Sequence, residues 1–179
     1  MLLRLYILFE MQLSKNFTLE EFIRSSTAER MGIDNVPKDE EVIENLRNLC
    51  LEVLQPLRDY VGAPVHINSG YRCKALNEAV GGVKNSQHCL GEACDIRLAS
   101  SKQGREWATW IEDNCRFDQM LLEKNKNGAV WLHVSCKMDT EANRQVFSRM
   151  DVGGLTRGKT LQRTETADGK ADGNIGKNY

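Results

Sequence analysis

The chain has 179 residues, 41% hydrophobic and 27% charged, with 24 Lys and Arg against 25 Asp and Glu. That length and balance suit one globular domain with its own core, and a net charge of -1 excludes a broad electrostatic pull toward nucleic acid or anionic lipid. Six cysteines could make three disulfides, but a domain of this size needs none and no persuasive secretion signal is expected before it, so reduced thiols are expected.

The first eleven residues are apolar, but Arg4 interrupts the run, Glu10 ends it, and no small-residue cleavage site follows. A membrane span needs ~20 residues, so the segment reads as neither signal peptide nor anchor, with Met11 as an alternative start. Residues 1–16 are therefore set apart as an extension of a domain over 17–152, and the chain is expected to be cytoplasmic at synthesis.

Phe17 to Phe22 opens a short helix. Thr18 is placed as its N-cap, Glu21 three residues on completes a capping box, and Phe17 and Phe22 form a hydrophobic staple. The polar stretch from Ser25 to Lys38, with Gly32, Asn35 and Pro37, reads as a loop with at most a turn of helix. From Asp39 to Val61 the residues Val42, Ile43, Leu46, Leu49, Cys50, Val53, Leu54 and Leu57 recur at three- and four-residue spacing. They predict the main amphipathic core helix, with a kink or boundary at Pro56.

A strand over Val65–Asn68 comes next, then a short helix over Ala75–Val80 closed by Gly81 and Gly82. Ala93–Leu98 reads as a strand, and Lys102–Asn114 as a second amphipathic helix with Trp107, Trp110 and Ile111 on one side. Phe117–Glu123 and Ala129–Cys136 are strands joined by a hairpin over Lys124–Gly128. A last helical stretch is expected over Thr140–Met150, and a disordered tail, rich in Gly, Lys, Thr and Asp, over 153–179. Helices mixed with hairpin-linked strands, without a βαβ rhythm or a repeat, predict an α+β fold around a small antiparallel sheet.

Chemistry concentrates in two segments. The run from Ser86 to Asp95 carries His88 and Asp95, and the apolar stretch Val130–Ser135 carries His133. His133 points with Trp131 and Ser135, opposite Leu132 and Val134, and so away from the core. Structural zinc usually takes four protein ligands; catalytic zinc takes three and leaves a position for water or substrate. Two imidazoles and one carboxylate fit the second case. The bland alternatives are a loop histidine bonded to backbone for His88 and an ion pair with Arg97 for Asp95. A turn at Gly91 is what would bring both to one ion. His66 lies outside any motif and is left out of the metal set. A rival structural zinc site could draw on Cys73, Cys89, Cys94 and Cys136, and it lacks a C-x-x-C pair.

The pattern S-x-H-x-x-G-x-A-x-D is met at Ser86, His88, Gly91, Ala93 and Asp95. With Asn68-Ser69-Gly70-Tyr71-Arg72 before it and Trp131-Leu132-His133-Val134-Ser135 after it, the chain resembles the M15 peptidases from about Phe17 to Met150. That family comprises zinc D-Ala-D-Ala carboxypeptidases and dipeptidases together with phage L-alanyl-D-glutamate endolysins. The resemblance implies the α+β fold shared with the hedgehog signalling domain, and Zn2+ held by His88, Asp95 and His133. It also implies Arg72 as the holder of a developing oxyanion, an exposed arginine in a salt bridge being the alternative. Ser86 by resemblance contacts the substrate's terminal carboxylate or backbone, a plain turn serine being the alternative.

Many members carry an acid three residues before the second histidine, where this chain has Val130. Glu123 in the preceding strand is favoured as general base, with Asp118 second. Geometry sets a condition on that choice. Glu123 shares the face of His133 only if it lies opposite Trp131, which needs a long loop or a bulge. A two-residue Asn127-Gly128 turn would throw it onto the other face.

The activity implied is hydrolysis of an amide in the peptide stem of bacterial peptidoglycan. The chain would act as a monomer by default, with no nucleic-acid partner and no membrane span. A phage or prophage lysis enzyme reaching the wall after release or export fits this reading. The alternatives are a non-catalytic zinc-binding module on the same fold, and a disulfide-stabilised extracellular protein.

Overall fold

A computed structural model describes residues 11–138 and 145–148. The expected tail over 153–179 lies outside the described residues. Strand β1 (Gln12–Ser14) falls within the segment set apart as an extension, pairs antiparallel with β2 (Phe17–Thr18), and buries Leu13.

Helix α1 (Leu19–Ile23) begins at Thr18, whose backbone N–H donates to the Glu21 carboxylate at 2.8 Å. Buried Phe17 and Phe22 meet edge to face at 6.3 Å across this start, as the staple requires. The stretch after it holds a full helix, α2 (Ser26–Met31), with the Ser25 hydroxyl accepting from Ala28 N–H and Gly32 ending it in the left-handed conformation. Both caps were written in the sequence, but the helix is too short for periodicity to mark it.

The long core helix is present in three parts. Helix α3 (Glu40–Leu49) starts at an Asp39 cap, Cys50–Leu54 widen into a π-helical turn, and α4 (Gln55–Val61) carries Pro56 in its first turn. Proline lacks an N–H and crowds the carbonyl four residues back, so a locally wider turn absorbs it without a break. Strand β3 (Ile67–Ser69), helix α5 (Lys74–Ala79), a 3-10 turn (Gln87–Leu90), strand β4 (Ala93–Leu98), helix α6 (Ser101–Asn114) and strands β5 (Gln119–Lys124) and β6 (Val130–Ser135) follow.

The main sheet runs β3-β4-β6-β5-β7 and is antiparallel from β3 to β5. The helix expected over Thr140–Met150 is corrected: Gln145–Ser148 are strand β7, parallel to Gln119–Leu122. Pairing satisfies backbone groups along the edge of β5, and Val146 and Phe147 are strand formers, so the edge overrides a weak helical pattern. The rest of that stretch lies outside the described residues.

Side chains of the sheet divide by alternation. Ile96, Met120, Leu122, Leu132 and Val134 are buried in one core cluster with Leu46, Leu49, Val53, Leu57, Trp107 and Ile111. Asp95, Leu121, Glu123, Trp131 and His133 point the other way, into an open cleft. The fold is thus α+β, with helices over one sheet face and chemistry on the other. Cys50, Cys73, Cys89, Cys94 and Cys136 form no disulfide, and no helix among the described residues is long and apolar enough to cross a membrane.

Candidate metal centre and its cleft

His88 sits in the 3-10 turn, Asp95 in β4, and His133 directly across from Asp95 in β6. The turn at Gly91, with φ 73°, folds the chain back between the first two. A side chain there would collide with the Val42 backbone carbonyl of α3, so close approach and conformation both demand glycine.

Three donor atoms converge. His88 Nε2 and His133 Nδ1 lie 3.3 Å apart, His133 Nδ1 and Asp95 Oδ1 3.0 Å, and His88 Nε2 and Asp95 Oδ1 3.4 Å. Two donors about 2.0–2.1 Å from a tetrahedral zinc stand roughly 3.3 Å apart, so this triangle has the size of one face of that tetrahedron. It is the group of His, Cys, Asp and Glu side chains among the described residues that meets the spacing for a metal. His66 is exposed and outside it, as are the cysteines.

The ring of His88 is oriented from behind. Its Nδ1 lies 2.7 Å from the Gly70 carbonyl oxygen, which can only accept, so Nδ1 carries a proton and Nε2 is the atom turned toward His133 and Asp95. Gly70 backs onto Phe22 of α1, where an added Cβ would fall 2.7 Å from the Phe22 Cα. The close helix contact is therefore what places that carbonyl.

Burial alone would raise the Asp95 carboxyl, but hydrogen bonds from His133 and His88 and their positive charge outweigh it, holding the group well below the usual carboxylate range. Its second oxygen faces Arg72 Nη2 at 3.8 Å. Arg97 is exposed and lies across from Trp131 instead.

Arg72 is held by the main chain. Its N–H donates to the His88 carbonyl at 3.1 Å, and buried Asn35 clamps its neighbours: Nδ2 donates to the carbonyls of Tyr71 and Ile23, and Oδ1 accepts from Cys73 N–H at 2.7 Å. Sequence reasoning did not find Asn35, because an Asn in a polar loop looks like any turn residue. Arg72 Nε is buried with no partner among the described residues.

The cleft over the triad measures about 640 Å³ and includes Ser86, Asp118, Glu123, Trp131 and Lys137 in its walls. Glu123 pairs with Trp131, two residues along from the Leu121–His133 pair, so it shares the face of His133. Between Lys124 and Val130 lies a five-residue loop in which Asn125 N–H donates to the Ala129 carbonyl at 2.9 Å. The long loop is the condition set above, and the two-residue turn is absent. The indole Nε1–H of Trp131 donates to Glu123 Oε2 at 2.8 Å. Val130, in contrast, is in the core: three residues from His133 along a strand means the opposite face.

Asp118 lies before β5 at the other end of the cleft. It is buried, one oxygen accepts from Lys137 N–H, and Oδ1 has no partner among the described residues. Ser86 is buried at the cleft wall.

A family model described as Peptidase M15 matches residues 15–135, a stretch that takes in all three converging donors together with Arg72, Ser86 and Glu123. No curated protein matches the chain.

Proposed function

The chain belongs to the M15 peptidase family, and from that premise we propose that it is a zinc-dependent peptidase cutting an amide bond in the peptide stem of bacterial peptidoglycan. The observation that carries the proposal is the His88–Asp95–His133 triangle, with donor spacings of 3.0 to 3.4 Å and an open cleft before it. When bound there, zinc supplies Lewis acidity to a water and to the substrate carbonyl.

The protein's own groups do the rest. The Glu123 carboxylate, steadied by Trp131, takes a proton from the attacking water and returns it to the leaving amine. Arg72 places a permanent positive charge beside the carbonyl oxygen as it gains negative charge. Ser86 contacts the peptide from the cleft wall. With no acid at position 130, the base comes from the neighbouring strand, and the alternation of β6 gives a reason: a side chain at 130 points into the core.

Incubation of the full chain with purified stem peptides, read by mass spectrometry, tests this. Cleavage is expected, with loss on chelation, recovery on adding zinc, and a fall of about 10²–10⁴ in Glu123→Ala. A zinc-loaded chain that cuts no stem peptide is the non-catalytic binding module instead.

A further inference from the structure

Arg72 lines two cavities. Beyond it, on the β3 side of the triad, lies a second hollow of about 520 Å³ that shares Arg72, Val80 and Asp95 with the main cleft. The two together cross the sheet from β5 toward β3, so a bound chain can extend on both sides of the metal-facing triangle.

The chemistry of the second hollow differs from that of the first. Two guanidinium groups line it, Arg24 and Arg72, joined by the uncharged polar side chains of Asn68, Ser26 and Thr27. Arg24 makes no ion pair among the described residues. Arg72 keeps a buried Nε without a partner. The acids on the lining are Asp95, whose Oδ1 meets the two histidines and whose Oδ2 faces Arg72 at 3.8 Å, and Glu29, exposed at the surface as Arg24 is. Arg24, a guanidinium fork with no carboxylate committed to it, next to the buried charge of Arg72, suits a planar anion.

We propose that the hollow walled by Arg24 and Arg72 is a subsite for a carboxylate carried by the peptide substrate, with Arg24 as its specificity-determining residue. The inference rests on the peptide-stem reading above and deepens it. Stem peptides offer that chemistry from two sources, the α-carboxylate of a γ-linked D-glutamyl residue and the C-terminal carboxylate.

Calorimetric titration of the full chain without added metal measures binding with no turnover. Three versions of one synthetic stem pentapeptide serve as probes: both carboxylates free, the D-glutamyl α-carboxylate amidated, and the C-terminus amidated. One amidation is expected to weaken binding about tenfold, since a charge-assisted contact is lost, and that version names the source. Arg24→Gln should erase the difference while leaving the affinity of that amidated peptide unchanged, and Arg24→Lys should keep part of it.

Equal affinity for all three peptides overturns the proposal. So does an Arg24→Gln chain that binds all three more weakly by the same factor, which is a structural effect. The reading of the chain as a peptidase fails separately: zinc-loaded protein that cuts none of the peptides but keeps an Arg24-dependent carboxylate preference refutes hydrolysis and upholds the subsite.

Discussion

Glu123 stands directly across the β5–β6 pair from Trp131, and the indole N–H of Trp131 donates to its carboxylate at 2.8 Å. The pair occupies the same sheet face as His133, two residues farther along β6. A carboxylate on a rigid strand, held by a neighbour on the next strand, is fixed before substrate arrives.

That arrangement predicts graded losses. Glu123→Gln should lower kcat by about 10²–10⁴ with zinc binding and melting temperature preserved. Trp131→Phe keeps the ring but deletes the donor, and should lower kcat about tenfold with little change in KM. Steady-state kinetics on a stem peptide separate the two. Equal activity in Glu123→Gln and wild type would remove Glu123 from the reaction.

Metal should be felt as stability. The three donors come from a turn and two strands, so an ion that binds only the folded chain stabilises it by ~2.7 kcal/mol at a hundredfold excess over its Kd. Differential scanning calorimetry should show a melting temperature several degrees higher with zinc than with chelator. The difference should vanish in His133→Ala, whereas His66→Ala should keep it.

Asn35 should matter out of proportion to its distance from the cleft. It makes three hydrogen bonds to main-chain groups at Ile23, Tyr71 and Cys73. Asn35→Ala strands those groups and should cost about 2–3 kcal/mol in chemical denaturation. Asn35→Asp should cost more, because an oxygen then faces the two carbonyls that the amide donated to. Activity should fall in both, since the segment they loosen carries Arg72.

Stability should also respond to pH through Glu92. Burial raises its carboxyl; Lys137 opposes the rise, while Asp118 and Glu41 add to it, and Oε2 is buried without a partner among the described residues. A folded-state value above the unfolded one means the native state favours the proton. The contribution is therefore fully present below the ordinary glutamate range, about pH 4.3, and is lost as pH rises through the folded value. Glu92→Gln should be more stable than wild type at pH 7, with the gap closing toward pH 4. Urea denaturation at the two pH values measures it.

Much of this was legible in the residues, and for identifiable reasons. Strand β4 was read with the bounds it has, and helix α6 to within one residue, because alternation and helical periodicity are strong there. His88, Asp95 and His133 stood in spaced segments that the fold brings together. Helix α2 was missed because six residues give no period, and the π-helical turn at Cys50–Leu54 because Pro56 fixes where a disturbance falls but not its form. Strand β7 was read as helix because its pairing with β5 is a tertiary fact. Asn35 was invisible because its role lies in groups 12 to 38 residues away.

The orientation of His88 is set by a peptide carbonyl, at Gly70, and not by a side chain. Point mutation cannot delete a main-chain oxygen, so the usual drift by which outer carboxylates are swapped or lost has no purchase on this ring. Sensitivity moves instead to the seat of that oxygen, where Gly70 meets Phe22. Bulkier variants at either position should misalign the imidazole while every group that faces the ion stays chemically intact.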